Sequence, residues 1–319
     1  MRNGGPGMES MEPPALDAGG PASAWRRAIG LAHAARPRQW IKNLACFAGL
    51  LFSGQLFQGA AIELAGLAFA GFCLAASGIY LINDVIDRPL DRQHPGKRSR
   101  PIASGLVPAS WAILAALALV AAALGSSLAL PPPCRIVLAA YIAMTLAYTV
   151  RLKHTVLLDV LLIALGFVLR VMYGVYALGI KPTSYIVLCM FFLALFLGFA
   201  KRRGELNLLG DGEAHRRPVL RKYSVAYLDQ QLNMTAAMAI LCYAFYTVTG
   251  RPGNASLVLT VPLVYYGISR YLILVKVHGS GDAPEKQVVG DPVSLTIVVT
   301  WAALCILIIY GDIHVFFEK

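Results

Sequence analysis

The sequence predicts an all-α integral membrane protein of nine transmembrane helices, with its N-terminus and a chemically active face on the cytosolic side. Three observations predict it. The 319 residues are 57% hydrophobic and only 14% charged, too little charge to cover a soluble domain of this length. The apolar residues fall in blocks of roughly 17–24, the length a helix needs to cross a ~30 Å hydrocarbon core. Twenty-two of the 28 Lys and Arg residues lie in alternate connections between those blocks, the bias that sets orientation in a bilayer.

Residues 1–25 are rich in Gly, Pro and small side chains and contain no apolar run. They read as a disordered tail rather than a secretory signal, and 26–319 as a single helical domain. The apolar spans are 42–58, 60–82, 108–130, 134–150, 155–178, 184–200, 232–249, 255–275 and 293–311. The first is the weakest, because Gly49, Ser53 and Gly54 lower its hydropathy. Pro131 to Pro133 separate the third span from the fourth. The N-terminal segment and the connections after spans two, four, six and eight hold the basic excess, whereas the other side holds only Arg135, Lys181, Arg251 and Lys319. An odd span number and this bias agree on N-terminus in, C-terminus out.

The net charge of +11 raises the question of nucleic acid. No basic stretch is interleaved with exposed aromatics and no nucleic-acid motif is present, so membrane lipid is the expected partner and nucleic acid is excluded. The six cysteines are scattered without C-x-x-C or zinc spacing, and predict neither a disulfide nor a thiolate metal site.

Chemistry concentrates after span two, in LINDVIDRPLDRQHPGKRSRPIASG (81–105). Asn83, Asp84, Asp87 and Asp91 put carboxylates at i, i+3 and i+7 on one helical face at the membrane boundary. Like charges this close need a counter-ion, and hard oxygens that leave room for water and phosphate suit Mg²⁺. Pro89 falls between Asp87 and Asp91 and threatens to turn Asp91 off the shared face. His94, Lys97, Arg98 and Arg100 follow at once. A carboxylate cluster beside a basic cluster is what a metal–diphosphate site requires, the cations neutralising phosphate charge that the metal does not reach. Ordinary positive-inside bias explains the sign of the basic residues but not the adjacent aspartates.

This run, with Arg100–Pro101 and Gly105, resembles the first aspartate signature of the UbiA superfamily of intramembrane prenyltransferases. More narrowly, RPRQWIKN (36–43), HPGKRSRPIASG (94–105), YTVRLKH (148–154) and AKRRGEL (200–206) resemble the decaprenyl-phosphate phosphoribosyltransferase subfamily. The motifs run from residue 36 to about 206, with weaker likeness to the last span. The resemblance implies a UbiA-like bundle and transfer of a 5-phosphoribosyl group from phosphoribosyl pyrophosphate (PRPP) to a decaprenyl-type polyprenyl phosphate, with Mg²⁺ as cofactor. It also implies a bacterial inner (plasma) membrane setting, with the active site facing the cytoplasm, and a place in cell-envelope synthesis. Asp84, Asp87 and Asp91 would be catalytic and, with Asn83, bind the metal. Lys42, Asn83, Lys97, Arg98, Arg100, Tyr148, Lys153, Lys201, Arg202 and Glu205 would contact substrate.

One departure favours the narrower resemblance. Superfamily members that act on aromatic acceptors carry a second Asp-rich motif after span six. Here the connection 201–231 holds Lys201, Arg202, Arg203, Arg216, Arg217, Arg221 and Lys222. Its carboxylates Asp211, Glu213 and Asp229 lack the required spacing. A loop this basic suits extra phosphate better than a second metal. The rival reading is a prenyl transferase with a polyprenyl diphosphate donor and an aromatic acceptor. An anion transporter fits less well, since polar groups in transporters sit at the membrane midplane.

Other residues stay open between two readings. Lys42 and Asn43 either snorkel to headgroups or bind the sugar phosphates. Lys153 and His154, after Tyr148, end span four at the same face. Lys201 and Glu205 at i, i+4 either form a surface pair or join the site. Tyr223 and Tyr227 either brace phosphates or belong to the interfacial aromatic belt. Asp159 and Arg170 lie within span five, where ionisable groups are expensive. They stand ~16 Å apart along one face, so each needs its own partner. Small-residue faces on several spans leave a homo-oligomer open.

Overall fold

Lipid offers the backbone no hydrogen bonds, so each apolar block must satisfy its amides internally, and helices do so. The computed structural model describes residues 24–208, 219–249, 255–277, 284–311, 313 and 315, and among these there is helix but no strand. After α1 (Ala24–Ala34) come a 3-10 helix (Pro37–Phe47), α2 (Ala48–Phe52), α3 (Gly59–Ile86) and α4 (Arg88–Gln93). Next are α5 (Ala109–Ser126), α6 (Pro132–Val150), α7 (Leu158–Ala177) and α8 (Ser184–Leu208). The described chain closes with α9 (Val225–Thr249), α10 (Val261–Lys276), α11 (Pro284–Gly290) and α12 (Pro292–Tyr310). Residues 1–23, most of the expected tail, lie outside the described residues, while Ala24 and Trp25 open α1.

Eight helices among the described residues are long and apolar enough to cross a membrane: α3, α5, α6, α7, α8, α9, α10 together with the 3-10 helix Ser256–Thr260 that leads into it, and α12. They correspond to the second through ninth spans. Several run past their apolar block, because hydropathy ends where charge begins but the hydrogen-bond ladder does not. Thus α3 continues through Asn83 and Asp84, and α8 through Lys201 and Glu205.

The first expected span, 42–58, departs from a regular helix. It begins as an 11-residue 3-10 helix, passes into the five residues of α2 and ends before Gly54, whose φ is +79°. Packing explains the irregular form. A Cβ on Gly174 of α7 would stand 1.8 Å from the carbonyl oxygen of Cys46, and one on Gly49 would stand 2.9 Å from Val175 Cγ2. The segment is pressed backbone to backbone on α7, with Cys46 fully buried, and its conformation follows that contact rather than local propensity.

Two apolar cores share α7. One gathers Phe72 of α3, Ala123 of α5, Leu138 and Tyr141 of α6, and Tyr173 of α7. The other gathers Val160 of α7, Phe196 and Ala200 of α8, Leu228 and Leu232 of α9, and Tyr271 of α10. Large apolar side chains such as Trp111, Leu114 and Leu117 of α5 face outward, as a lipid-facing surface requires. The two groups of helices leave a cleft between them, with Tyr80 of α3 and Lys201 of α8 among its polar lining.

Candidate active site

The aspartates occupy the junction of α3 and α4. Asp87 ends α3, and Pro89 lies in the first turn of α4, where its missing N–H is not needed. The Asp91 amide donates to the Asp87 carbonyl at 2.8 Å, so the helical path resumes past the proline. Asp91 is therefore brought beside Asp84, and each is only 3% exposed. Arg100 joins them: its Nη1 donates to Asp91 Oδ2 at 2.7 Å and reaches Asp84 Oδ1 at 3.4 Å. Lys97 Nζ stands 3.9 Å from Asp91 Oδ1. Asp87 accepts from Asn83 Nδ2 at 3.1 Å and from Lys153 Nζ at 2.6 Å.

Arg36 is a member of this cluster that motif spacing missed. Its guanidinium donates to Asp84 Oδ1 and lies 5.0 Å from the centre of the Tyr80 ring. The residue holds a left-handed backbone, φ 55° and ψ 58°, a conformation that costs a non-glycine residue about 1–3 kcal/mol. Pro37 disfavours the right-handed helical alternative at this position. The one sequence signal for Arg36 is its place at the head of RPRQWIKN.

A cavity of about 480 Å³ opens beside the cluster, with Lys42, Tyr80, Tyr148 and Lys201 in its wall and Tyr141 and Arg170 deeper in. The structure thus brings together Asp84, Asp87, Asp91, Asn83, Lys97, Arg100 and Lys153, and faces Lys42, Tyr148 and Lys201 into the adjoining space. Arg98 is exposed at its edge of the molecule. Tyr80, four residues before Asp84, was legible as a same-face neighbour and was overlooked. A second, apolar cavity of about 710 Å³, with Phe47, Phe52, Tyr243 and Trp301 in its wall, shares Met190, Leu193, Leu197 and Val288 with the first.

Arg202 and Glu205 pair with each other. Arg202 is 7% exposed. Its Nε donates to Asp159 Oδ2 at 2.7 Å and its Nη1 to Glu205 Oε2 at 2.6 Å. The basic run in the last turns of α8 looks uniform in sequence, but the helix turns its members to different sides. Lys201 faces the cavity, Arg202 the Asp159 side, and Arg203 pairs with Asp229 at 2.6 Å. Arg216, Arg217, Asp211 and Glu213 lie outside the described residues, as does the side chain of Glu285.

The two ionisable residues of α7 do take separate partners. Asp159 is fully buried between Arg202 and the Tyr223 hydroxyl, which donates at 2.9 Å. Arg170 donates to Asn43 Oδ1 at 2.7 Å, the Gly166 carbonyl at 2.8 Å and the Tyr141 hydroxyl at 3.1 Å. The rings of Phe72, Tyr141 and Phe167 surround it at 5.0–5.2 Å, cation–π contacts that offset burial of the charge. Asn43 is consequently committed to Arg170 and to Cys73, and only its neighbour Lys42 reaches the cavity.

Among the described residues no three acidic, His or Cys side chains close on a point as a metal cage. What exists is a buried pair, Asp84 and Asp91, bridged by one guanidinium, with a third carboxylate just outside it. Such an arrangement suits a cation that keeps water and substrate oxygens in its shell.

A bundle of membrane-length helices with buried carboxylates and cations at one end of an internal cavity defines an intramembrane enzyme that handles an anionic group. The chain belongs to the UbiA prenyltransferase family, whose model matches residues 43–287. It is 35% identical over 285 residues to the decaprenyl-phosphate phosphoribosyltransferase of Mycolicibacterium smegmatis, covering 85% of this chain and 90% of that one. To the enzyme of the same name from Corynebacterium glutamicum it is 33% identical, covering 89% and 87%. Its fold is similar to a UbiA homologue from Archaeoglobus fulgidus solved with DMAPP and Mg²⁺, with a TM-score of 0.69 at 17% identity over 87% of this chain and 99% of that one. The protein is an integral membrane transferase of this family.

Proposed function

We propose that this enzyme transfers the 5-phosphoribosyl group of PRPP to a polyprenyl phosphate, releasing pyrophosphate, at the cytoplasmic face of a bacterial inner membrane. The observation that carries the reading is the unequal make-up of the two polar helix ends. The α3–α4 end offers carboxylates to a metal. At the α8 end Asp159 and Glu205 pair with Arg202 and Asp229 pairs with Arg203, and Lys201 lines the cavity. One carboxylate set beside Arg100, and a second helix end whose carboxylates are paired with arginines, suit two phosphorylated substrates better than a second metal and a neutral aromatic acceptor. The named relatives agree.

Asp84 and Asp91 would hold Mg²⁺, with Asp87 and Asn83 beside them. The ion, when bound, supplies charge neutralisation to the leaving diphosphate. The remaining work falls to the protein. Arg100, Lys97 and Lys153 stand beside the carboxylates and neutralise phosphate oxygens, as does Arg98 if the diphosphate projects outward. Lys42, Lys201 and the Tyr148 hydroxyl hold the second phosphate against the ribose carbon as the C1–oxygen bond loosens. A phosphate monoester is already anionic near neutral pH, so the site needs no general base. The apolar cavity continuous with the first accommodates isoprenoid.

We further infer nine crossings with the N-terminus in the cytosol. At about 2.0 Å per 3-10 residue and 1.5 Å per α residue, Pro37–Phe52 reaches roughly 30 Å, enough to cross the hydrocarbon. The distribution of Lys and Arg sets the orientation.

The reading is tested with purified protein in detergent, radiolabelled PRPP, Mg²⁺ and polyprenyl phosphate. A labelled lipid product is expected. Product formed only from a polyprenyl diphosphate and an aromatic acceptor would replace this reading with its rival.

A further inference from the structure

Tyr223 is a buried phenol that the reaction above does not use. It follows the 3-10 turn Leu220–Lys222 and lies with Val219 and Leu228 in the α7–α10 core, and its ring is 5% exposed. The hydroxyl makes two hydrogen bonds to different parts of one turn. It accepts from the backbone N–H of Leu157 at 2.8 Å and donates to Asp159 Oδ1 at 2.9 Å. Burial and the neighbouring Asp159 carboxylate push the phenol up from its ordinary value, so it keeps the proton it donates.

Leu157 is the residue that needs holding. Its φ is +69° with ψ −41°, a region that a side chain enters only when its surroundings impose it. The Leu157 side chain is 46% exposed, so packing does not impose it. Four residues earlier, within the 3-10 turn Leu152–His154, Lys153 extends to Asp87 at 2.6 Å. The turn joins two anchors: Tyr223 and Asp159 on one side, the carboxylate cluster on the other.

We propose that Tyr223 is a positioning residue whose hydroxyl clasps the α6–α7 turn in its left-handed form and so sets Lys153 against Asp87 in the diphosphate site. The proposal rests on the reading of that site given above. Asp159, fixed by Arg202, which Glu205 holds in turn, is the stationary side of the clasp. Through it the α8 end controls the geometry of the α3–α4 end.

The test uses Tyr223→Phe, which retains the ring and its stacking on Tyr227 at 6.1 Å and removes only the hydroxyl. Binding of Mg²⁺ with inorganic pyrophosphate, followed by calorimetry on the detergent-solubilised protein, reads the clasp without requiring turnover. Loss of the two bonds is expected to weaken that binding about tenfold. In the transfer assay kcat/KM for PRPP should fall by a similar factor, while KM for the polyprenyl phosphate stays unchanged. Glycine adopts positive φ without penalty, so Leu157→Gly added to Tyr223→Phe should recover about threefold or more of the loss. Unchanged pyrophosphate binding in Tyr223→Phe overturns the proposal. So does an equal loss for both substrates that Leu157→Gly fails to relieve. Should Tyr223→Phe fail to accumulate, the double variant must accumulate and bind pyrophosphate, and its failure would be equally decisive against the clasp. Absence of PRPP turnover in the wild type, with pyrophosphate binding intact, would count against the proposed reaction alone.

Discussion

Asp84 sits 3% exposed against two guanidiniums, Arg36 and Arg100, which are themselves about 30% exposed. The carboxylate lies buried between two cations, where a charge is costly unless it is paired. Replacing it with the isosteric amide removes the charge and keeps the volume. Asp84→Asn is expected to lower turnover by roughly 10²–10³-fold, scored as labelled lipid, while the protein still inserts and elutes as a monodisperse species in detergent. Full activity in that variant would remove Asp84 from the site. At this scale the sequence was partly legible. The i, i+3, i+7 spacing exposed Asp84, Asp87 and Asp91, because helix geometry is local. Arg36 was not legible, since its contact with Asp84 spans 48 positions and no periodicity connects them. The pairing of Arg202 with Asp159 was not legible for a related reason: in a run of three basic residues only the tertiary environment decides which one meets Asp159. The isolated acid within span five was the available hint that a buried cation would be drawn to it.

Spans two to nine follow from length and hydropathy alone, because a membrane-length apolar run has no other stable conformation in lipid. The first segment does not, because its form is decided by α7. Gly174 has no room for a Cβ, which would lie 1.8 Å from the Cys46 carbonyl oxygen. The listener on the other side is backbone within a tightly packed 3-10 helix, which cannot rotate away as a side chain would. Gly174→Ala is therefore expected to cost about 3 kcal/mol or more, read as a fall in the detergent melting temperature or loss of the folded protein. A variant with wild-type melting would show that the 3-10 helix and α7 do not approach this closely. The same contact has a functional side. The 3-10 helix carries Lys42 into the cavity and Arg36 onto Asp84, so a displaced segment would disturb two cations of the site together. The α3–α4 break is a milder case: Pro89 signalled an interruption, and the structure shows the helix restarting in a direction that keeps Asp91 in register with Arg100.

Across the whole molecule, charge is sorted as sharply as hydropathy. The carboxylates and most of the cations that answer them collect at one end of the helices, and the interior holds few ionisable groups apart from Arg170 in its aromatic surround. An arrangement of this kind can draw polyanionic heads to the boundary while apolar cavities accept a lipid tail. The α7 helix ties the two halves together, because it contributes to both cores and carries Asp159 and Arg170. Binding of a divalent cation at the Asp84–Asp91 centre, where it would hold the pyrophosphate leaving group, underlies the proposed transfer. Its most direct measurement is the rate of labelled phosphoribosyl transfer as free Mg²⁺ is titrated down with a chelator. The account predicts that product formation falls to background as the ion is withdrawn and returns when Mg²⁺ is restored. Transfer that continues undiminished with all divalent ions chelated would contradict it.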